Sequence, residues 1–303
     1  MYAPFSYLQQ PTVVASNLPD ITGGTIYTYT SASSTYRSHT FTGDSTLIVT
    51  STGSLTSVQL LVVAGGGAGA WGNTSGGGGA GGYILSSSYS ITPRTYNIKI
   101  GAGGTSATYP FADFTGSAGS LSGFYNVTAS GGGGGAGDAY SGVGDKGGSG
   151  GGAGVNYTSG VGAGIFGQGN SGSIGNVSGP PYPAGGGGGA SQRGGLGSYK
   201  NSGGSGSINY LQSGSAISYA GGGYGGSQFS SSLDSAYTSG SSGGQGRGAN
   251  QGFPTTASYL QNSLPGLTNY GGGGGGGAGS TGRSQRSGSA GGSGIVIVTY
   301  LYQ

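Results

Sequence analysis

Leu60-Leu61-Val62-Val63-Ala64-Gly65-Gly66-Gly67 runs an apolar segment without alternation straight into a glycine tract. Four apolar residues in succession describe a strand covered on both faces. The glycines that follow offer no side chain to do the covering. A matching segment, Ile295-Val296-Ile297-Val298, stands just after the last glycine run. Between these two brackets lies most of the chain's glycine, 80 of 303 residues, with unbroken runs at 76–79, 131–135, 185–189 and 271–277. A linker has no need of apolar brackets, whereas a domain built from glycine does.

Glycine loses more conformational freedom on folding than any other residue, roughly 0.5–1 kcal/mol more than alanine at each position. Ordered glycine runs therefore need compensating contacts from the backbone itself. A helix of the polyproline II type has three residues per turn and its backbone groups point outward. Without Cβ atoms, several such helices can pack side by side and pair their N–H and C=O groups. Disorder is the competing reading, because Gly/Ser-rich segments are commonly linkers. Against it stand 22 Tyr and 8 Phe, the absence of Glu, and only three lysines, Lys99, Lys146 and Lys200. Disordered chains show the opposite bias.

Outward from the brackets the chain divides into three. Residues 1–22 carry Pro4, Pro11 and Pro19 and no periodicity. They read as an extended arm, either a frayed terminus or an attachment segment that docks through Tyr2, Phe5, Tyr7 and Leu8. Residues 23–64 read as β: 25–30, 36–42, 45–50 and 57–63 are rich in β-branched and aromatic residues. Gly43-Asp44 between the second and third of these predicts a hairpin with a type II′ turn. Residues 65–303 form the glycine-rich part. Two short strands interrupt it, 82–85 and 96–100, and a closing strand over 294–302 is expected to pair with 58–64. A lone apolar edge would invite aggregation. The runs read as parallel or antiparallel struts joined by loops of unequal length. No segment has helical periodicity. The fold class expected is all-β: N-terminal β-hairpins and a closing C-terminal strand flanking an irregular glycine-rich array, a polyglycine II sandwich.

Chemistry is sparse. The only histidine, His39, lies in a strand-like run, and no nucleophile elbow accompanies it. The six acidic residues are all Asp, and Asp44 reads as a turn residue. Matches to phosphate-binding glycine loops are expected by chance at this composition, and none opens a helix. There is no Cys and no metal-binding pattern. No cofactor and no enzymatic activity are expected. A net charge of +3 without a concentrated basic face argues against nucleic acid. No apolar run approaches the ~18 residues of a membrane helix. The first positive charge is Arg37, so no signal peptide is expected.

The aromatic residues remain. Tyr157, Phe166, Tyr182, Tyr199, Tyr237, Phe253 and Tyr259 sit in segments between glycine runs. One reading makes them small satellite cores that cover the faces of the array. The other makes them receptor-binding residues, because Tyr, Ser, Gly and Asn compose adaptable binding loops.

Tyr36-Arg37-Ser38-His39-Thr40-Phe41-Thr42, Leu60 to Gly67, Tyr96-Asn97-Ile98-Lys99-Ile100-Gly101-Ala102-Gly103-Gly104 and Gly291 to Tyr300 together resemble the glycine-rich domain of bacteriophage tail fibre and tail tip proteins. The resemblance implies a virion protein, on the tail or fibre and so extracellular, that contacts the host surface. Related adhesins of T-even-type phages fold as polyglycine II sandwiches with receptor-binding loops at the distal end. Those loops share no motif with this chain, so no loop residue carries over. The leading expectation is a tail fibre tip or adhesin. It would be held by other virion proteins through residues 1–22 and bind a protein or glycan receptor. The alternative is a structural virion or extracellular filament protein that assembles with its own copies, a homo-oligomer. An ice-binding protein is a third, disfavoured by the irregular Tyr-rich segments.

Overall fold

The computed structural model describes residues 18–72, 74–106, 115–137, 142–155, 160–175, 182–195, 202–230, 250–252, 260–261, 263–277 and 287–302. The chain is all-β, with no helix among the described residues. It combines a β-sandwich with a lattice of glycine struts.

One sandwich sheet contains β2 (Thr25–Ser31), β3 (Ser34–Phe41), β15 (Ile295–Leu301), β5 (Ser57–Val63) and β6 (Tyr83–Ser90), in that order. The other orders β1 (Asp20–Thr22), β4 (Ser45–Ser51), β7 (Arg94–Lys99), β8 (Ser122–Phe124) and β9 (Val127–Ala129). All neighbours in both sheets are antiparallel. β15 lies between β3 and β5, with Ile295 opposite Val63 and Thr299 opposite Gln59. The two apolar brackets of the sequence are therefore direct partners.

The lack of alternation in β5 has the cause expected. Leu60 and Val62 face the sandwich interior with Val296, Val298, Tyr300, Leu47, Tyr96, Ile98 and Phe124. Leu61 and Val63 face the other way, with Ile295 and Ile297, onto Leu211, Tyr219, Ala220 and Ala80. A hairpin of β10 (Ser207–Asn209) and β11 (Ile217–Tyr219) supplies much of that second cover. It is tied down where Thr299 Oγ1 donates to Leu211 O at 2.8 Å.

Two sequence expectations need correcting. The predicted hairpin across Gly43-Asp44 does not exist: β3 and β4 lie in different sheets, and the glycine-aspartate pair crosses between them. The hairpin is instead β2–β3, with Ser31 opposite Ser34. Its turn residues Ala32 and Ser33 both have positive φ, 47° and 66°, as a type I′ turn requires. Asp44 serves the crossing: its carboxylate accepts from Ile100 N at 2.8 Å and from Lys99 Nζ at 2.9 Å. The boundary of the N-terminal arm also moves. Asp20–Thr22 pairs with β4 as β1, and Ile21 is buried in the sandwich, so these residues belong to the domain.

Beyond β5 the chain becomes a strut, and its hydrogen bonds repeat every third residue. Gly65 and Ala68 donate to Ser120 and Ser117; Gly66 and Gly69 donate to Gly292 and Ser289; Gly67 and Ala70 donate to Gly79 and Gly76. Its carbonyls follow the same rule: Gly65 and Ala68 accept from Gly132 and Gly135, and Gly67 and Ala70 accept from Gly274 and Gly277. This is the three-residue turn of a polyglycine II helix. Descending partner numbers mark antiparallel neighbours and ascending ones parallel neighbours, and both occur.

Followed outward, these bonds define three central layers, with 142–147 and 160–164 bonded beyond one face and 263–267 beyond the other. The middle layer holds 101–106, 64–70, 75–82 and 184–190, joined by Gly104 N to Gly66 O, Gly67 N to Gly79 O and Gly77 N to Gly185 O. One outer layer holds 115–120, 131–137, 148–154 and 169–175. The other holds 287–294, 271–277, 220–226 and 202–206. A Cβ built on Gly67 would overlap Gly133 O, and one on Gly273 would overlap Gly78 O. At these positions close approach of backbone to backbone is what glycine supplies.

Candidate functional site

The lattice has two unlike ends. Its sheet end begins where 64–70 leaves β5 and where 75–82 enters β6. Its far end lies at the turn after Ala70, where Ala70 N meets Gly76 O. Struts of all three layers reach that end. Ser75 N donates to Gly277 O, Gly226 N to Ser75 O, Ala184 N to Gly226 O and Val155 N to Thr74 O. Gly288 approaches Gly69 and Ala70 there, and Ser263 Oγ donates to Ser287 O at 2.8 Å. A small sheet of β12 (Ser227–Ser230), β13 (Asn250–Gly252) and β14 (Leu260–Gln261) continues from it, entered through the bridge between Pro183 and Ser227.

Several segments between struts, residues 231–249 the longest of them, are anchored at this far end. Val155 and Gly160 flank Tyr157, and Ser230 and Asn250 flank Tyr237. Gly252 and Leu260 flank Phe253 and Tyr259. These four aromatic residues, with Tyr199 and the arm residues Tyr2, Phe5, Tyr7 and Leu8, lie outside the described residues. Tyr182 is described and stands at the far end beside Pro183, with φ of 44°. Nearby, Trp71 and Tyr224 are buried, at 7 % and 8 % exposure. The sequence reading passed over both, because a single Trp in a Gly-rich turn carries no periodic signal. Asp145, Lys146 and Arg193 are the described charged residues on lattice segments; the others lie in the sandwich.

Phe166 does not join this group. It tops a turn at the sheet end, where Tyr83 N donates to Gln168 O and Ser130 N to Gln168 Oε1, both at 2.8 Å. Its ring is fully exposed. The two described residues of the predicted aromatic set, Tyr182 and Phe166, thus stand at opposite ends of the lattice.

The sheet end holds His39, Tyr300 and Asp44. His39 is completely buried; Nδ1–H donates to Gly23 O at 2.8 Å, and Nε2 accepts from Tyr300 OH at 3.1 Å. Burial lowers its pKa below the ordinary 6.5, and the nearby Arg37 charge adds to this, while the bond to Gly23 opposes it. Burial likewise pushes Tyr300 up to about 12. The Ile100 N–H, then Lys99, hold Asp44 below the usual carboxylate range. Both nitrogens of His39 are engaged, and the side chain is fully buried. Among the described residues no cluster of His and Asp is assembled to hold a metal. None of them forms a helix long and apolar enough to cross a membrane.

Comparison with known proteins bears on the lattice and the sandwich together. No curated protein matches the chain. The model of a glycine-rich domain family matches residues 40–301, from the end of β3 through every strut to the last residue of β15. The chain belongs to the glycine-rich domain family.

Proposed function

We propose that the chain is a non-enzymatic virion adhesin or tail fibre tip, in which the glycine lattice is a rigid pedestal and the far end meets a receptor on the host surface. The observation that supports this most is polarity. The segments 231–249 and 253–259 depart from one end of the lattice, while residue 18 leads into β1 at the sandwich. A strut lattice tied by period-three backbone bonds has few soft degrees of freedom, and sequence variation in the attached segments leaves it undisturbed. The segments anchored at the far end are rich in Tyr and Ser, a composition suited to protein or glycan surfaces. Other virion proteins would hold the domain from its sandwich side through residues 1–19.

Binding of the purified, labelled chain to whole bacterial cells, with intact virus as competitor, tests the proposal. Saturable binding displaced by virus supports it. A folded chain that binds no cell the virus infects overturns it.

One observation favours the second reading, assembly of copies into a filament. β2 is an outer strand whose seven residues carry no charge and no proline, with Ile26 and Tyr27 exposed. Such an edge is open to strand pairing. Light scattering across a concentration series distinguishes a monomer from a growing polymer.

A further inference from the structure

The β8–β9 hairpin carries a conformational cost that its fold does not demand. Its two-residue turn is Tyr125-Asn126, with Phe124 opposite Val127. Tyr125 has φ of +50°, and Asn126 does not have positive φ. Those signs are the ones of a type II′ turn, whose first position suits glycine. A tyrosine held there is strained where a glycine would not be. This chain uses glycine at 80 positions, yet places a tyrosine at a turn position that favours glycine.

The strained residue is presented, not hidden. Tyr125 is 49 % exposed. Its N–H donates to Asn97 O at 2.9 Å, which fixes the turn to β7. Its ring meets Tyr96 edge-on at 5.7 Å, and Tyr96 stacks on Phe124 at 5.2 Å. The Arg94 guanidinium lies over the Tyr125 ring at 4.2 Å. Asn126 is positioned by Tyr89, whose hydroxyl donates to Asn126 Oδ1 at 2.7 Å and leaves the amide hydrogens as donors. Arg94 makes no ion pair among the described residues: Lys99–Asp44, at the other end of β7, is the one found there. An aromatic ring, a planar cation locked by stacking and an oriented amide therefore stand side by side on one rigid turn.

We propose that Tyr125, Arg94 and Asn126 form a subsite for an acidic saccharide. The exposed Tyr125 ring takes the C–H face of one sugar residue. Arg94 takes its carboxylate or phosphate, and the Asn126 amide donates to a ring hydroxyl or ring oxygen. The cluster spans one turn, the footprint of one or two sugar residues. A stable protein partner needs about 800 Å² on each side, more than one turn presents. The subsite lies at the sheet end, away from the far end on which receptor binding is proposed, so the two have separate readouts.

The test uses the full chain in titration calorimetry with three probes: a uronic-acid oligosaccharide, a glycerol-phosphate-substituted oligosaccharide and a neutral oligosaccharide of the same length. Binding by either acidic probe, at least ~10-fold tighter than by the neutral one, is expected, and the tighter of the two names the anion. Tyr125→Gly relieves the strain, so it should hold or raise Tm while weakening acidic-probe binding at least ~10-fold. Arg94→Lys keeps the charge and loses the planar stack; it should weaken acidic-probe binding and leave the fold intact. Equal binding of acidic and neutral probes overturns the proposal, as does no binding by any probe. Undiminished binding by Tyr125→Gly overturns it as well. A lowered Tm in that variant would show that the tyrosine serves packing, with the same consequence.

Discussion

His39 shows how much one buried side chain can set the conditions under which this domain is stable. Its neutral ring is held as an Nδ1–H tautomer between Gly23 O and Tyr300 OH. Protonation would destroy the acceptor at Nε2 and place a charge in a site without exposure. The folded-state pKa therefore lies below the ordinary 6.5. The unfolded chain takes up the proton first as pH falls. Stability is fully present above about pH 6.5 and declines as pH drops below it. His39 is the single histidine, so this limb of the pH profile has one principal source. Thermal melts between about pH 5 and 8 should show Tm falling on the acid side. His39→Gln should lower Tm at neutral pH yet flatten that slope. Tyr300→Phe, which leaves Nε2 without its donor, should cost about 1–3 kcal/mol. A wild-type Tm constant down to pH 5 would refute the account.

Among elements, the strut is the one whose rules differ from ordinary secondary structure. A strand tolerates side chains on both faces, whereas a strut in the middle layer is enclosed by other backbones. Alanine appears only where a methyl group has room, as at the fully buried Ala68, Ala70 and Ala80. Gly67 has no such room, because a Cβ would overlap the Gly133 carbonyl, itself fixed by its bond from Gly79 N. Gly67→Ala should therefore cost at least ~3 kcal/mol or abolish folding. Gly43→Ala, with nothing within 4 Å of its Cβ, should be neutral or gain roughly 0.4–1 kcal/mol. Chemical denaturation of the two variants provides the comparison, and equal effects would remove the lattice as the reason for glycine. This contrast also marks what could be read from the sequence. The pairing of β5 with β15 was legible because continuous apolar runs report two covered faces. The existence of struts was legible from long glycine runs. Their order was not, because glycine carries no side-chain pattern and the code lies in backbone bonds alone. The Gly43-Asp44 hairpin was misread because Ala32 and Ser33 take the positive-φ turn without any glycine. The Arg94–Tyr125 cluster was invisible because β7–β8 pairing joins residues far apart in the chain.

At the scale of the whole molecule, the two ends are coupled through a lattice that has almost no side-chain packing of its own. The sandwich supplies the larger apolar core, closed by β15 only after the last strut has been laid down. The lattice holds its layers by backbone bonds, and the segments leaving its far end are not needed for any bond between 64–70 and its neighbours. Such a division predicts independence of stability and recognition. Replacing residues 231–249 by a short Gly/Ser connector should leave Tm within a few degrees of the parent, since loop length changes closure entropy only slowly. The same replacement should remove most cell binding if the far end meets the receptor. Removing residues 1–17, which leaves β1 intact, should preserve both the fold and the binding of the isolated chain and, if this arm attaches the chain to a virion, abolish its incorporation into particles. The paired readout separates the roles. Loss of cell binding in the 1–17 deletion alone would move the recognition surface to the arm, and loss of folding in the 231–249 replacement would make that segment part of the scaffold.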